Sequence, residues 1–246
     1  MFRIILIFLS IILANGALAE AENVPKSNWV IGLSAGPSWA SGNQTQAINF
    51  EPDVMKTYAA NQPNNTMTSI EIFLGYQKPG ITFLSHSFTG QLGLKVADAG
   101  NALLKGDIWE DGDSNFNNSS YQYKINHMDV SLKGRLVGHL GYFADPYISG
   151  SGGVGFNRSY DFAVTPTVSG EVPPPAFTSN TKTAFSYTLG AGLQKAVSDN
   201  LHVAIGYEFA DWGKSGLSPA AGQATNEALS LNHLYVQTLQ FSLFYA

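Results

Sequence analysis

The sequence predicts an all-β transmembrane fold: an antiparallel up-and-down β-barrel of eight strands, following a cleaved N-terminal signal peptide. Three observations carry this. The first nineteen residues have the three-part build of a secretory signal. Charged residues make up 13% of the chain and apolar residues 44%; that is about half the charged share of a soluble domain, so much of the surface faces something other than water. Finally, segments of about ten residues alternate apolar and polar side chains, the length a tilted strand needs to cross a bilayer.

The signal comes first in the chain. Arg3 supplies the positive end, and Ile4 to Ala14 is apolar apart from Ser10. Asn15 and Gly16 break that run, and Ala17-Leu18-Ala19 forms a small-residue cleavage site. The apolar run is well short of the roughly 20 residues of a spanning helix. The expected organisation is therefore residues 1–19 as signal peptide and 20–246 as barrel, with the cut between Ala19 and Glu20. No later stretch is apolar for long enough to span as a helix.

The first strand is expected over Trp29–Trp39. Trp29, Ile31, Leu33, Ala35, Pro37 and Trp39 form one face, and Val30, Gly32, Ser34, Gly36 and Ser38 the other. A tryptophan at each end of an apolar face matches the two interfacial girdles of a membrane protein, and Tyr76, Tyr207 and Tyr245 are the other expected interface aromatics. The second, Ser69–Gln77, points Ile70, Ile72, Leu74 and Tyr76 outward and Glu71 and Phe73 inward. The third, Gln91–Ala97, does the same with Leu92, Leu94 and Val96 against Lys95. Between them the stretch Lys78–Gly90 is open to two readings: Pro79-Gly80 marks a turn, yet Ile81 to Leu84 could extend either strand.

The fourth strand, Lys124–Val137, sends Met128, Val130, Leu132 and Leu136 out and Asp129, Ser131, Lys133 and Arg135 in. The fifth, Tyr147–Asn157, is rich in Gly and Ser. The sixth, Thr183–Gln194, sets Phe185, Tyr187, Leu189 and Leu193 against Thr188, Gly190, Gly192 and Gln194. The seventh, Leu201–Asp211, sets Val203, Ile205, Tyr207 and Phe209 against Ala204, Gly206 and Glu208. The eighth, Leu234–Tyr245, ends with Leu239, Phe241, Leu243 and Tyr245 outward. A soluble sandwich would hide the apolar face and expose a charged one. Here the second face carries Gly, Ser and charges of both signs, as a narrow polar interior requires.

Connections alternate between short turns and long stretches, expected at 40–68, 98–123, 159–182 and 213–233, which matches periplasmic turns and extracellular loops.

The runs Pro146-Tyr147-Ile148-Ser149-Gly150-Ser151-Gly152-Gly153-Val154-Gly155-Phe156-Asn157, Leu189-Gly190-Ala191-Gly192-Leu193 and Ile205-Gly206-Tyr207-Glu208-Phe209 resemble the small OmpA/OmpX-type outer-membrane barrels. So does Tyr207 to Lys214, which is similar to strand ends in uncharacterised Gram-negative barrels. The resemblance implies a bacterial outer-membrane location and contact with membrane lipid and lipopolysaccharide. It also implies delivery to the barrel-assembly machinery through the C-terminal strand. Such barrels usually end on Phe; this chain ends Phe244-Tyr245-Ala246, so Tyr245 is the candidate terminal aromatic.

By strand parity the interior holds Glu71, Asp129 and Glu208 with Lys95, Lys133 and Arg135, a set expected to pair into a plug because unpaired charges in a low-dielectric interior are costly. The absence of Cys excludes disulfides, Cys-ligated zinc and thiol nucleophiles. A net charge of −5 without a Lys/Arg cluster excludes a nucleic-acid partner. His86, His127, His139, His202 and His233 are scattered, with no metal-ligand spacing. No metal or cofactor is expected. Asp107, Glu110, Asp111 and Asp113 form an acidic loop patch without EF-hand spacing. The expected function is a non-enzymatic barrel with a structural, adhesive or antigenic role for its surface loops. A narrow passive pore is the second reading. A lipid-modifying enzyme is the third, and a His, Ser and acid grouped on one barrel face would be its mark.

Overall fold

A computed structural model describes residues 28–51, 54–61, 65–83, 86–168, 170, 177–221 and 227–246. The expected signal peptide and its Ala19/Glu20 cut lie outside them. Every regular element among the described residues is a strand: β1 (Asn28–Ser41), β2 (Thr45–Glu51), β3 (Val54–Ala60), β4 (Thr66–Phe83), β5 (His86–Glu110), β6 (Asn117–His139), β7 (Asp145–Pro166), β8 (Phe177–Thr178), β9 (Asn180–Ala196), β10 (Leu201–Asp211), β11 (Ser215–Gly216), β12 (Ser218–Pro219), β13 (Ser230–Leu231) and β14 (Tyr235–Tyr245).

Eight of these close a ring. β1 pairs with β4, β4 with β5, β5 with β6, β6 with β7, β7 with β9, β9 with β10 and β10 with β14, and β14 returns to β1, every pair antiparallel. Closure leaves no unpaired edge across the bilayer, where a free backbone N–H or C=O finds no water. The register follows the apolar alternation. Outward Ile31 sits beside Leu74, Leu74 beside Leu94 and Leu94 beside Leu132; inward Ser34 sits beside Glu71 and Ala97 beside Asp129. A slip of one residue would exchange the two faces.

The outward face is an apolar belt. Ile31, Leu33, Ile72, Leu74, Leu92, Leu94, Leu132, Leu189, Ile205 and Phe241 are all about half exposed, and in lipid that exposure is the favourable state. On β6 the belt runs from Met128 to Leu136. Eight residue steps cover about 27 Å along a strand, or about 21 Å along the membrane normal at a 40° tilt, close to the roughly 25 Å apolar band of such barrels.

Several strands outgrow their expected limits, and three of them are the longest. β5, β6 and β7 contain 25, 23 and 22 residues, against 11 each in β10 and β14. The barrel wall is therefore tall on one side. The stretch expected as a loop at 98–123 is mostly strand, turning at 111–116 with Asp111 and Gly112 at positive φ. On these overhangs the outward residues are polar and the inward ones, such as Leu104, Ile108, Tyr121 and Ile125, are apolar and buried, so the lipid-facing stripe that marks a spanning strand is missing. The first long connection is likewise folded, as the hairpin β2–β3, and β3 pairs with the outer end of β5. Pro79-Gly80 is not the turn between the second and third strands. β4 continues to Phe83 and pairs with β5 down to His86, and Pro79-Gly80 forms a bulge at which the register shifts. A bulge tolerates the proline's missing donor, and Gly80 takes the positive φ.

Candidate functional site

The polar lumen is the only concentration of buried charge along the membrane-spanning strands described, and it is organised in layers. β4–β5, β6–β7 and β9–β10 are joined by short turns, which marks that end as periplasmic.

Nearest the turns, Arg135 on β6 fills the bore. Its Nη1 donates to Gln194 Oε1 at 2.5 Å and to Gln91 Oε1 at 3.4 Å, and Gln91 Nε2 donates to Gln77 Oε1 at 3.2 Å. The guanidinium lies between two rings, with its Cζ 3.8 Å from the Tyr147 centroid and 4.2 Å from that of Phe244. Phe73, Val30 and Val137 complete this floor. Gly206 on β10 makes room for Tyr147, because a Cβ there would collide with its hydroxyl oxygen.

The second layer is a three-membered ion cluster. Lys133 Nζ donates to both carboxylate oxygens of Glu71 at 2.7 Å and to Glu208 Oε2 at 3.0 Å. Gln240 Nε2 reaches Glu71 Oε2 at 3.4 Å. The third layer pairs Lys95 Nζ with Asp129 Oδ2 at 3.3 Å. Beside it the His127 ring stacks on Trp212, with centroids 4.4 Å apart and planes 4° from parallel. Asn157 locks this stack. Its Nδ2 donates to the carbonyls of Trp212 and Lys214, so its Oδ1 is left to accept from His127 Nδ1 at 2.6 Å. A cavity of about 40 Å³ lies among Glu71, Lys95, His127, Asp129, Glu208 and Trp212, room for a few waters rather than a channel.

Above Trp212 the chemistry turns apolar. Ile48 from β2, Tyr58 from β3, Leu104 from β5, Tyr121 from β6, Phe177 and Leu217 belong to one buried cluster that covers the outer mouth. Burial pushes the Tyr58 phenol's pKa up, with a smaller contribution from the Glu110 carboxylate, and pushes Tyr121 and Tyr123 in the same direction. Lys56 and Glu110 form an ion pair between β3 and β5. Gln46 ties β2 to the last long connection through Ala228 O and Ser230 N.

All six charged residues singled out from parity lie in the lumen, each less than a tenth exposed. They do not form three matched pairs. Lys133 serves two acids, Lys95 serves one, and Arg135 meets no carboxylate within ion-pair distance among the described residues; glutamines and aromatic rings hold it instead. His127 follows the same parity as Asp129 and was legible in principle. Asn157, of opposite parity to Phe156 on β7, was legible in the same way; Trp212 was not, since the segment that returns into the bore has no periodic signal.

Of the expected interface aromatics, Trp29 and Tyr76 meet edge-on at the periplasmic end, ring centroids 6.2 Å apart, and Tyr245 pairs with Ile31 nearby. Trp39 lies at the loop end, paired with Thr66 and Gln237. Tyr207 is exposed one step inside Phe209. A ladder that the sequence did not single out, Phe185, Tyr187, Phe209 and Tyr235, adds to the outer girdle with centroids 5.7 to 6.4 Å apart. In the acidic patch, Glu110 is paired with Lys56 and Asp113 accepts from the Asn115 backbone. Among the described residues no three His, Asp or Glu side chains converge closely enough to hold a metal ion.

One His–hydroxyl–acid row exists. His139 contacts Thr89 Oγ1 at 2.8 Å through Nε2 and Asp145 Oδ2 at 2.9 Å through Nδ1. Thr89 is only 3% exposed, so its hydroxyl is closed to a substrate. The row clamps β5, β6 and β7 together at the turn end.

A closed antiparallel ring with a lipid-facing apolar belt and a polar bore defines a transmembrane β-barrel of the bacterial outer-membrane class. No protein-family model and no curated protein matches the sequence. Among solved structures, the chain is similar to the outer membrane protein OprG from Pseudomonas aeruginosa, at 9% identity over 91% of this chain and 99% of that one, TM-score 0.49. It is similar to the outer membrane protein AlkL, at 12% identity over 93% and 95%, TM-score 0.47. It is also similar to the outer membrane protease OmpT from Escherichia coli, at 9% identity over 92% and 99%, TM-score 0.45.

Proposed function

We propose that this outer-membrane barrel is a sealed, non-conducting and non-enzymatic scaffold whose role, structural, adhesive or antigenic, is carried by the folded cap at its outer surface. The observation behind this reading is the double closure of the bore. An eight-stranded interior is only just wide enough for its own side chains. Here Arg135 with Tyr147 and Phe244 fills the inner part, and Trp212 under the apolar cluster fills the outer. Opening a path would require displacing Arg135 from its two rings, breaking the Lys133 bridge to Glu71 and Glu208 and withdrawing the segment that Asn157 fastens.

The described part of the cap has its own core, hairpin and side-chain ties, which fix these segments on the barrel. Loops on a rigid scaffold are where recognition is usually placed. Membrane lipid is the partner of the belt, and we assign delivery to the barrel-assembly machinery to the C-terminal strand ending in Tyr245. Planar-bilayer recording of the purified barrel tests the reading: silence is expected, and large steady conductance would replace it with the pore.

A further inference from the structure

The tall side of the barrel carries its outward face well past the belt, and the chemistry of that face changes abruptly. On β6 the outward column is Leu136, Leu132, Val130 and Met128, followed toward the loops by Asn126, Lys124, Gln122 and Ser120. On β7 it is Ile148, Val154 and Phe156, then Arg158 and Tyr160. On β5 it is Leu92, Leu94 and Val96, then Asp98, Asn101, Leu103 and Lys105. Pairing aligns these changes: Met128 lies beside Phe156, Asn126 beside Arg158, and Lys124 beside both Tyr160 and Leu103.

Two cations share one ring here. Arg158 Cζ is 5.1 Å and Lys124 Nζ 5.9 Å from the Tyr160 centroid. A bulge in β7 puts Asp161 at positive φ and its carboxylate 2.9 Å from Lys124, holding that side chain forward. Arg158 has no ion pair among the described residues. Across the barrel, on β10 and β14, the outer girdle carries the stacked rings of Phe209 and Tyr235 instead.

We propose that the outward face of β5, β6 and β7 above the belt is a bed for the phosphorylated saccharide headgroup of an outer-leaflet lipid, with Lys124 and Arg158 taking a phosphate. The inference rests on the outer-membrane reading above. The face continues the lipid interface without a break, so the molecule whose acyl chains lie on Met128 and Phe156 brings its headgroup to Asn126, Arg158 and Tyr160. Amides and hydroxyls match sugar hydroxyls, Tyr160 offers a flat surface to a sugar ring, and the cations match phosphate. Asp98 faces the same way, so divalent cations that bridge carboxylate and phosphate strengthen the contact.

The test titrates the folded full-length barrel in detergent, at fixed magnesium, with three probes: a rough lipopolysaccharide, the same glycolipid dephosphorylated, and phosphatidylglycerol. A basic side chain near an anionic lipid surface is worth about a factor of five, so Lys124→Gln with Arg158→Gln should weaken binding of the phosphorylated glycolipid about 25-fold. Lys195→Gln, at the turn end, should leave it unchanged. Equal loss in the Lys195 variant, no loss in the double variant, or phosphatidylglycerol binding as tightly as the glycolipid would overturn the proposal. Absence of a heat-shifted folded band from the unaltered protein would instead refute the outer-membrane reading on which it rests.

Discussion

Lys133→Met is the perturbation that most directly probes the lumen cluster. In the native barrel Lys133 donates to Glu71 and Glu208 at 2.7 to 3.0 Å, and all three side chains are almost fully buried. Removing one partner of a buried ion pair costs about 3–5 kcal/mol, chiefly because the other charge is stranded. Here two carboxylates are stranded facing each other, with Gln240 alone among the described residues left to donate to Glu71, so the loss should fall at the top of that range. Methionine keeps most of the volume and limits any packing loss. Adding Glu71→Gln and Glu208→Gln removes the stranded charges, and the triple variant should regain most of the stability. Urea unfolding of the barrel in lipid vesicles, followed by tryptophan fluorescence, gives the three free energies. A Lys133→Met variant within about 1 kcal/mol of the native barrel, or a triple variant no better than the single, would refute the electrostatic account.

Other expected outcomes use the same assay. Arg135→Met should cost less than Lys133→Met, since it strands no acid and loses two ring contacts worth about 1 kcal/mol each; an equal or greater loss would mean that Arg135 is an essential ionic partner. Ile205→Arg places a cation on the lipid face and should cost about 2–4 kcal/mol, whereas Ala204→Ser, facing the bore, should be mild; equal stability would reverse the face assignment of β10. Asn157→Leu removes both ties to the Trp212–Lys214 segment and should expose Trp212 to a water-soluble quencher while the barrel stays folded. A native-like quenching profile would show that the segment holds without Asn157. The cap should loosen in alkali. Tyr58, Tyr121 and Tyr123 hold their protons more tightly when folded than when unfolded. Their contribution is therefore complete below the unfolded phenol pKa near 10 and is lost as pH rises beyond it. Tyrosinate absorbance should show the exposed tyrosines ionising first and the buried set only as the cap opens; a single uniform titration would contradict its burial.

The spanning strands were legible because lipid outside and a polar bore inside impose opposite demands on successive residues, and that contrast is written every second position from Trp29 to Trp39 and from Leu201 to Asp211. The same parity placed Glu71, Lys95, Asp129, Lys133, Arg135 and Glu208 in the bore. It did not give their partners. Arg135 turned to Gln194 and two rings because the cross-section brings Tyr147 and Phe244 to its level and Glu71 to that of Lys133, a matter of stagger that no single strand reveals. In the sequence the overhangs of β5 to β7 resemble loops because their outward residues are polar and their inward ones pack on a cap whose other half comes from distant segments. Trp212 and the hairpin β2–β3 belong to that cap, whose contacts join residues far apart in sequence.

Single-channel recording in planar bilayers bears most directly on the central claim, that the bore is closed by its own side chains. With the floor of Arg135, Tyr147 and Phe244, the Lys133 cluster and the Trp212 segment all in place, the unaltered barrel should insert and pass no steady current. Removing a barrier from each layer together, as Arg135→Ala with Lys133→Met and Asn157→Leu, should produce openings. A large, steady conductance from the unaltered barrel would contradict the account.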